Sequence, residues 1–196
     1  MGAEEFINGR KRYCLWLVGA NPAELRKMPL VVKRVEAVKQ MRLSSTKEAT
    51  RIWAAYPYLF TENRQPESGY YLLIPRVSSE RRRYVPIGYV SSEVIASDAV
   101  QIVPNASLYE FGVLTSTVHN AWTRMVCGRL KSDYRYSNDI VYNNFPWPSL
   151  ETHDFTSLQV RIAQSAQDIL DTRAKYPDST LADLYDDTFM PADLRK

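Results

Sequence analysis

Three short apolar runs in the middle of the chain most constrain its fold. They lie at residues 70–74, 84–90 and 100–103, rich in β-branched and aromatic side chains and bounded by Pro75, Ser78-Ser79 and Pro104-Asn105. Runs of this length between such breakers read as strands of a small sheet. A further buried strand is expected over residues 12–18, another over 108–113, and weak strands over 134–136 and 140–142. Helices surround them. Asn21, Pro22 and Glu24 spell a helix start, which Pro29 is expected to end. Val31, Val35 and Val38 then recur at helical spacing. Ser45 and Glu48 match a capping box opening a helix through Ile52 and Trp53 to Pro57. Ser116 should cap a helix with Val118, Trp122, Met125 and Val126 on one face, closed by Gly128. After the stiff break Phe145-Pro146-Trp147-Pro148, Thr156 and Gln159 match another capping box. Leu158, Ile162, Ala166, Ile169 and Leu170 form an apolar stripe, and a short helix follows at 181–185. The expectation is an α+β domain over residues 1–148, with a small, mainly antiparallel sheet and flanking helices. A helical extension over 149–196 reads as truncated.

Composition allows a substantial core, with 45% hydrophobic residues in 196. The net charge of +3 does not by itself identify a partner, but its distribution is informative. Arg10, Lys11 and Arg12 cluster, as do Arg81, Arg82 and Arg83, and a third group holds Arg124, Arg129, Lys131 and Arg135. The acids Asp183, Asp186, Asp187 and Asp193 come late. A basic body suits a polyanion. Cys14 and Cys127 sit in apolar surroundings without metal spacing and read as buried free thiols of a reducing compartment. No run approaches the ~20 apolar residues of a membrane span. The polar start shows no leader, so no membrane partner and a cytoplasmic location are expected.

Catalytic patterns are absent from the sequence. His119 and His153 lack ligand-spaced partners, and His119 reads as a hydrogen-bonded structural histidine. The seven glycines form no phosphate-binding loop, and no nucleophile elbow is present. Asn143-Asn144-Phe145-Pro146-Trp147 only superficially matches the Asn-Pro-Pro-Tyr signature of amino-methyltransferases, because Asn144 is followed by Phe145 rather than Pro. No catalytic, cofactor-binding or metal-binding residue is assigned.

Recognition chemistry is present. Between two strands, Ser78-Ser79-Glu80-Arg81-Arg82-Arg83 supplies hydroxyls, an acid and three guanidiniums. It reads either as a solvated charged loop or as a phosphate clamp with one Arg reaching a base edge, where Arg matches the two major-groove acceptors of guanine. Glu80 would orient an arginine or accept from a cytosine amine. Arg129, Lys131, Arg135 and Tyr136 form a second patch, or else the charged surface of a hairpin. Asn143 and Asn144 suit adenine edges and turn backbones equally. Phe145 and Trp147 read as packing anchors rather than base platforms.

At these residues the sequence resembles the target-recognition region of MmeI-like restriction-modification enzymes and their adenine-methyltransferase relatives. The resemblance rests on Ser78-Ser79-Glu80-Arg81-Arg82, Tyr84-Val85-Pro86, Leu108-Tyr109-Glu110-Phe111-Gly112-Val113-Leu114, and His119 with Trp122. It continues through Gly128-Arg129-Leu130-Lys131-Ser132, Tyr134-Arg135-Tyr136-Ser137, and Val141-Tyr142-Asn143-Asn144-Phe145-Pro146-Trp147-Pro148. The segments Leu181-Ala182-Asp183-Leu184-Tyr185-Asp186, Met190-Pro191 and Leu194-Arg195 are similar to that family's carboxyl-terminal segment. The resemblance implies a larger parent, in which a preceding S-adenosyl-L-methionine (SAM)-binding domain methylates adenine N6 and some members carry an endonuclease. It implies a module, not catalytic by itself, that reads double-stranded DNA through Glu80, Arg81, Arg82, Arg83, Arg129, Lys131, Arg135, Tyr136, Asn143 and Asn144. The alternative is a protein-docking module that presents the stripe Leu158, Ile162, Ile169 and Leu170.

Overall fold

The computed structural model describes residues 1–148 and 155–195; His153 lies outside them, as do the residues just after Pro148. The elements run α1 (Ala3–Ile7), α2 (Pro22–Leu25), α3 (Pro29–Leu43), α4 (Glu48–Ile52) with a 3-10 turn (Trp53–Ala55), β1 (Tyr70–Pro75), β2 (Val77–Ser78), β3 (Gly88–Ser91), β4 (Val100–Pro104), α5 (Leu108–Thr115), α6 (Thr117–Val126), β5 (Gly128–Leu130), β6 (Asp133–Arg135), a π turn (Asn138–Tyr142), α7 (Phe155–Ala174) and α8 (Leu181–Leu184), then a 3-10 turn (Ala192–Leu194). The class is α+β, with small antiparallel sheets and a carboxyl-terminal helix. Two compact units result, one of Met1–Arg12 with Gln65–Lys196 and one of Tyr13–Arg64.

In the larger unit β1 is the central strand of a sheet ordered β3-β1-β4, with Leu72 opposite both Tyr89 and Val103. Both of its faces are covered, which is why its sequence is continuously apolar rather than alternating. Leu72 and Ile74 join Phe111, Leu114 and Ala166 in the main core. Tyr71 and Leu73 join Val90 and Val100 on the other face, where Phe6 of α1 packs. The strand expected at 84–90 begins only at Gly88, because Pro86 supplies no ladder donor. The chain then passes almost without interruption from β1 into β2. Between them the Arg76 N–H donates to Ala99 O (3.1 Å) and the Arg76 carbonyl accepts from Tyr136 N (2.7 Å). One peptide segment therefore joins this sheet to a second one, ordered β2-β6-β5.

Several expectations are corrected. Residues 108–113 form a helix, not a strand. Ser107 and Glu110 close a capping box (Ser107 N to Glu110 Oε2, 2.7 Å; Tyr109 N to Ser107 Oγ, 3.1 Å). The helix is apolar nearly all round because both the main core and a second cluster around Phe145 press on it, so it carries no helical stripe. Ser116 caps α6 as expected, but the buried face is His119, Asn120 and Thr123, while Val118 and Met125 (84% exposed) face outward. Gly128 does not close α6; Cys127 does so in an extended conformation, and Gly128 opens β5. Residues 140–142 belong to the π turn, where Ser137 Oγ accepts from Ile140 N (3.3 Å). Thr156 lies within α7 rather than at its cap.

In the smaller unit, Asn21 caps α2 (Oδ1 accepts from Ala23 N, 2.9 Å). Pro29 opens α3 instead of ending α2, since a proline at the first helical position costs no hydrogen bond. The box at Ser45 and Glu48 does not form; Lys47 is the cap residue, and Ser45 Oγ accepts from Lys47 N (3.2 Å). Residues 12–18 form no strand: Tyr13, Cys14, Leu15 and Val18 are exposed, and Cys14 is therefore not a buried thiol. Trp16 instead stacks on Phe60 at 5.5 Å. The organising contact of this unit is polar. The buried Arg42 guanidinium donates to the carbonyls of Trp53, Tyr56 and Leu59, each at 2.8 Å, and satisfies the end of the 3-10 turn.

Helix α7 closes the main core, and Gly112 lets it approach α5. A Cβ at Gly112 would lie 2.9 Å from the Ile162 carbonyl oxygen and 2.7 Å from Ile162 Cγ2. Arg173, further along α7, donates to Ile87 O (2.8 Å) and to the Tyr185 hydroxyl through Nε (3.0 Å). Among the described residues no helix is long and apolar enough to cross a membrane. Gly112→Ala must move backbone, so it should lower unfolding free energy by about 1–3 kcal/mol; a denaturant midpoint unchanged from wild type would show that α5 and α7 are not held this closely.

Candidate nucleic-acid interface

The second sheet brings two distant charged segments together. In register, Val77 faces Arg135 and Ser78 faces Tyr134 across β2 and β6, while Arg129 faces Tyr134 and Leu130 faces Asp133 across β5 and β6. The arginine loop leaves β2 directly, and the β5–β6 hairpin lies beside it. Arg81–83 and Arg129, Lys131 and Arg135 thus belong to one structural platform.

The loop is pinned at several points. Ser79 folds its start, with its carbonyl accepting from Arg82 N (3.1 Å) and its hydroxyl from Arg81 N (3.3 Å). The Glu80 N–H donates to Asp133 Oδ1 of the hairpin (3.3 Å). The Arg124 guanidinium of α6 donates to the Arg83 carbonyl. Beyond the loop, Val85 N donates to the buried Asn120 Oδ1 (2.8 Å), whose amide nitrogen donates to the carbonyls of Thr115 (3.2 Å) and Ser116 (2.9 Å). Backbone is fixed while the outer side chains stay available: Glu80, Arg81 and Arg83 are exposed, and Arg83 lies over the Tyr84 ring at 5.4 Å. Arg82 is half-buried, and its Nε, like Ser78 Oγ, has no partner among the described residues. No ion pair joins Glu80 to these arginines among the described residues.

On the hairpin the Arg129 guanidinium lies 4.1 Å from the Tyr134 ring centroid and donates to Ser132 O (2.9 Å). A ring face and a carbonyl oxygen thus both engage this exposed cation. Lys131 occupies the tip at φ +56°, the left-handed region, with its amine outward. Arg135 is exposed and, two-residue alternation applied, points to the face opposite Tyr134. Tyr136 is different in kind. It is 3% exposed, and its hydroxyl meets His119 Nε2 at 3.0 Å, so it supports the platform from beneath. Asn144 spends its amide on the carbonyls of Asp139 (2.6 Å) and Ile140 (3.2 Å), while Asn143 is exposed beside it. Phe145 packs edge-on to His119 (4.6 Å) and Trp147 (5.6 Å), as packing anchors do.

Sequence reading missed Asn120, Arg124, Asp133 and Tyr134 as supports. Their partners lie 35, 41, 53 and 5 residues away, and only the Arg129–Tyr134 pair, on adjacent strands of a tight hairpin, left a local signal. Burial lowers the His119 pKa from 6.5 to about 4. Burial likewise raises the Tyr136 phenol, which stays neutral. Among the described residues no His, Cys, Asp and Glu cluster can hold a metal ion.

A hydrogen-bonded arginine loop and a charged hairpin on one small sheet form the candidate interface. The chain belongs to the MmeI target recognition domain family, which matches residues 1–149, and residues 157–196 match the MmeI C-terminal domain. It is 37% identical over 195 residues to DNA methyltransferase A of Bacillus subtilis (strain 168), covering 100% of this chain and 22% of that protein. It is also similar to the Type IIL restriction-modification enzyme MmeI, solved in complex with DNA, at 45% identity and a TM-score of 0.95, covering 100% of this chain and 25% of that one. The chain thus spans about a quarter of the length of these relatives.

The His119 shift has a stability consequence. As pH falls, the unfolded imidazole takes its proton near 6.5 and the buried one only near 4. The unfolded state therefore binds the proton first, and stability present above pH 6.5 declines progressively toward pH 4, by roughly 3 kcal/mol in total. His119→Gln should remove this component of the slope; a variant with the wild-type pH dependence between those limits would assign it to other groups.

Proposed function

We propose that this chain is the DNA target-recognition module of a SAM-dependent adenine-N6 methyltransferase of the restriction-modification type. It holds duplex DNA by its phosphates and reads a short site in the major groove. The observation that carries this reading is the β2-β6-β5 sheet, which sets Arg81–83 and the Arg129–Arg135 hairpin side by side, tied by the Glu80 N–H to Asp133, with Arg81, Arg83, Arg129, Lys131 and Arg135 exposed. Arg81 and Arg83, exposed and flanking, suit phosphates. Arg82, half-buried with its Nε unpartnered among the described residues, suits a base edge. Arg129 and Lys131 add cations from the hairpin beside the loop, while Arg135, on the other face of the sheet, and the exposed Asn143 are further contacts in this reading. Tyr136 and Asn144 act by holding the platform in shape.

In this reading the catalytic and SAM-binding portion belongs to the rest of the parent chain, which takes the target adenine out of the duplex while the module fixes the register. The docking alternative loses its main element. Of the stripe Leu158, Ile162, Ile169 and Leu170, the last three pack on α5 and the apolar clusters beside it, while Leu158 is exposed.

Selection from random duplex DNA at ~50 and ~200 mM salt, followed by sequencing, tests the reading, since phosphate contacts give affinity a steep salt dependence. The expected result is an enriched short motif. Arg82→Ala should then relax one position of that motif at a cost of about 1–3 kcal/mol; equal weakening on every sequence would remove Arg82 from base readout.

A further inference from the structure

We infer that the unit of residues 13–64 is a second DNA contact, one that binds backbone phosphates without reading sequence. The inference rests on the DNA-recognition reading above.

Charge is divided unequally along the chain. Residues 13–64 carry nine Lys and Arg against four acids, a net +5, whereas the remaining residues carry sixteen against eighteen, a net −2. The unit bearing the recognition platform therefore offers little long-range attraction of its own to a polyanion. Part of its positive charge is also neutralised internally, since Arg10 and Arg12 pair with Glu4 and Glu5 at 2.9 Å each. Attraction and steering at a distance follow summed charge, and that sum lies in 13–64.

The cations there are free to serve. Arg42 alone turns inward. Arg64 pairs with Glu62, and Arg51 caps the carbonyls of Ser45 and Thr46. Arg26, Lys27, Lys33, Arg34, Lys39 and Lys47 are exposed and form no ion pair among the described residues. The acid nearest them on α3, Glu36, is occupied by Gln40 (2.7 Å). A helix of 15 residues is about 22 Å long, and duplex DNA presents a phosphate every ~1.7 Å along its axis. Several of these cations can thus find phosphates at once. Nothing in this set has the pinned, half-buried character of the arginine loop, so the contact is to charge and not to base edges.

The test is the triple variant Lys33→Gln, Arg34→Gln, Lys39→Gln in the otherwise unaltered chain, measured on the selected duplex and on a scrambled one across a salt series. All three positions are exposed, and an unchanged thermal midpoint verifies folding; a Lys33→Arg, Arg34→Lys, Lys39→Arg variant retains the charge. The expected result is a loss of at least tenfold at ~50 mM salt on both duplexes, a salt slope shallower by about 0.9 per lost phosphate contact, the same selected motif, and wild-type behaviour in the charge-retaining variant. Unchanged affinity and slope would overturn the inference and make 13–64 a protein-facing surface, while leaving the readout by Arg82 standing. Failure of the readout shows differently, as salt-dependent binding with no motif in the wild-type chain.

Discussion

The backbone of Arg76 is the constraint on which the candidate interface depends. Its N–H belongs to the buried sheet and its carbonyl to the outer one. The outer sheet has short strands and little core of its own, and small sheets of this kind are marginal when isolated. Its geometry is inherited through one backbone segment from β1, whose two faces are fully packed. The arginine loop is thereby placed by backbone hydrogen bonds and by the Asn120 amide, whereas Arg129 is held by its own contacts with Tyr134 and Ser132.

Much of the fold was legible because local chemistry and tertiary context agreed. The strands β1 and β4, the caps at Asn21 and Ser116, and the long helix α7 all follow local rules. Where the reading failed, context overrode the pattern. Helix α5 is pressed from two sides and so lost its helical periodicity. The most buried face of α6 is polar because its residues serve Val85 N and Tyr136 Oη; of the apolar residues expected inside, Trp122 and Val126 pack against the core while Val118 and Met125 face outward. The run at 12–18 is apolar yet exposed, a composition that reads as buried under any local rule.

The candidate site divided along the same line. Clusters of Arg, Lys and Asn could be seen in the sequence, as could the resemblance they carry. Which of them point outward could not, since Arg135 and Tyr136 are neighbours in sequence and differ completely in exposure. Nor could the joining of two clusters separated by some forty-five residues, which is a matter of strand pairing and not of spacing.

The closure of the main core by α7 also sets an order on synthesis. Ala166, Ile169 and Leu170 complete the same apolar cluster that Leu72 and Ile74 begin. At the ~5–20 residues per second of translation, the interval between them is on the order of ten seconds. Until then α5 lies on the central strand without α7 upon it, and the groove at Gly112 faces solvent. A ribosome that stalls between α5 and α7 thus leaves the α5 side of this apolar cluster uncovered and open to other chains.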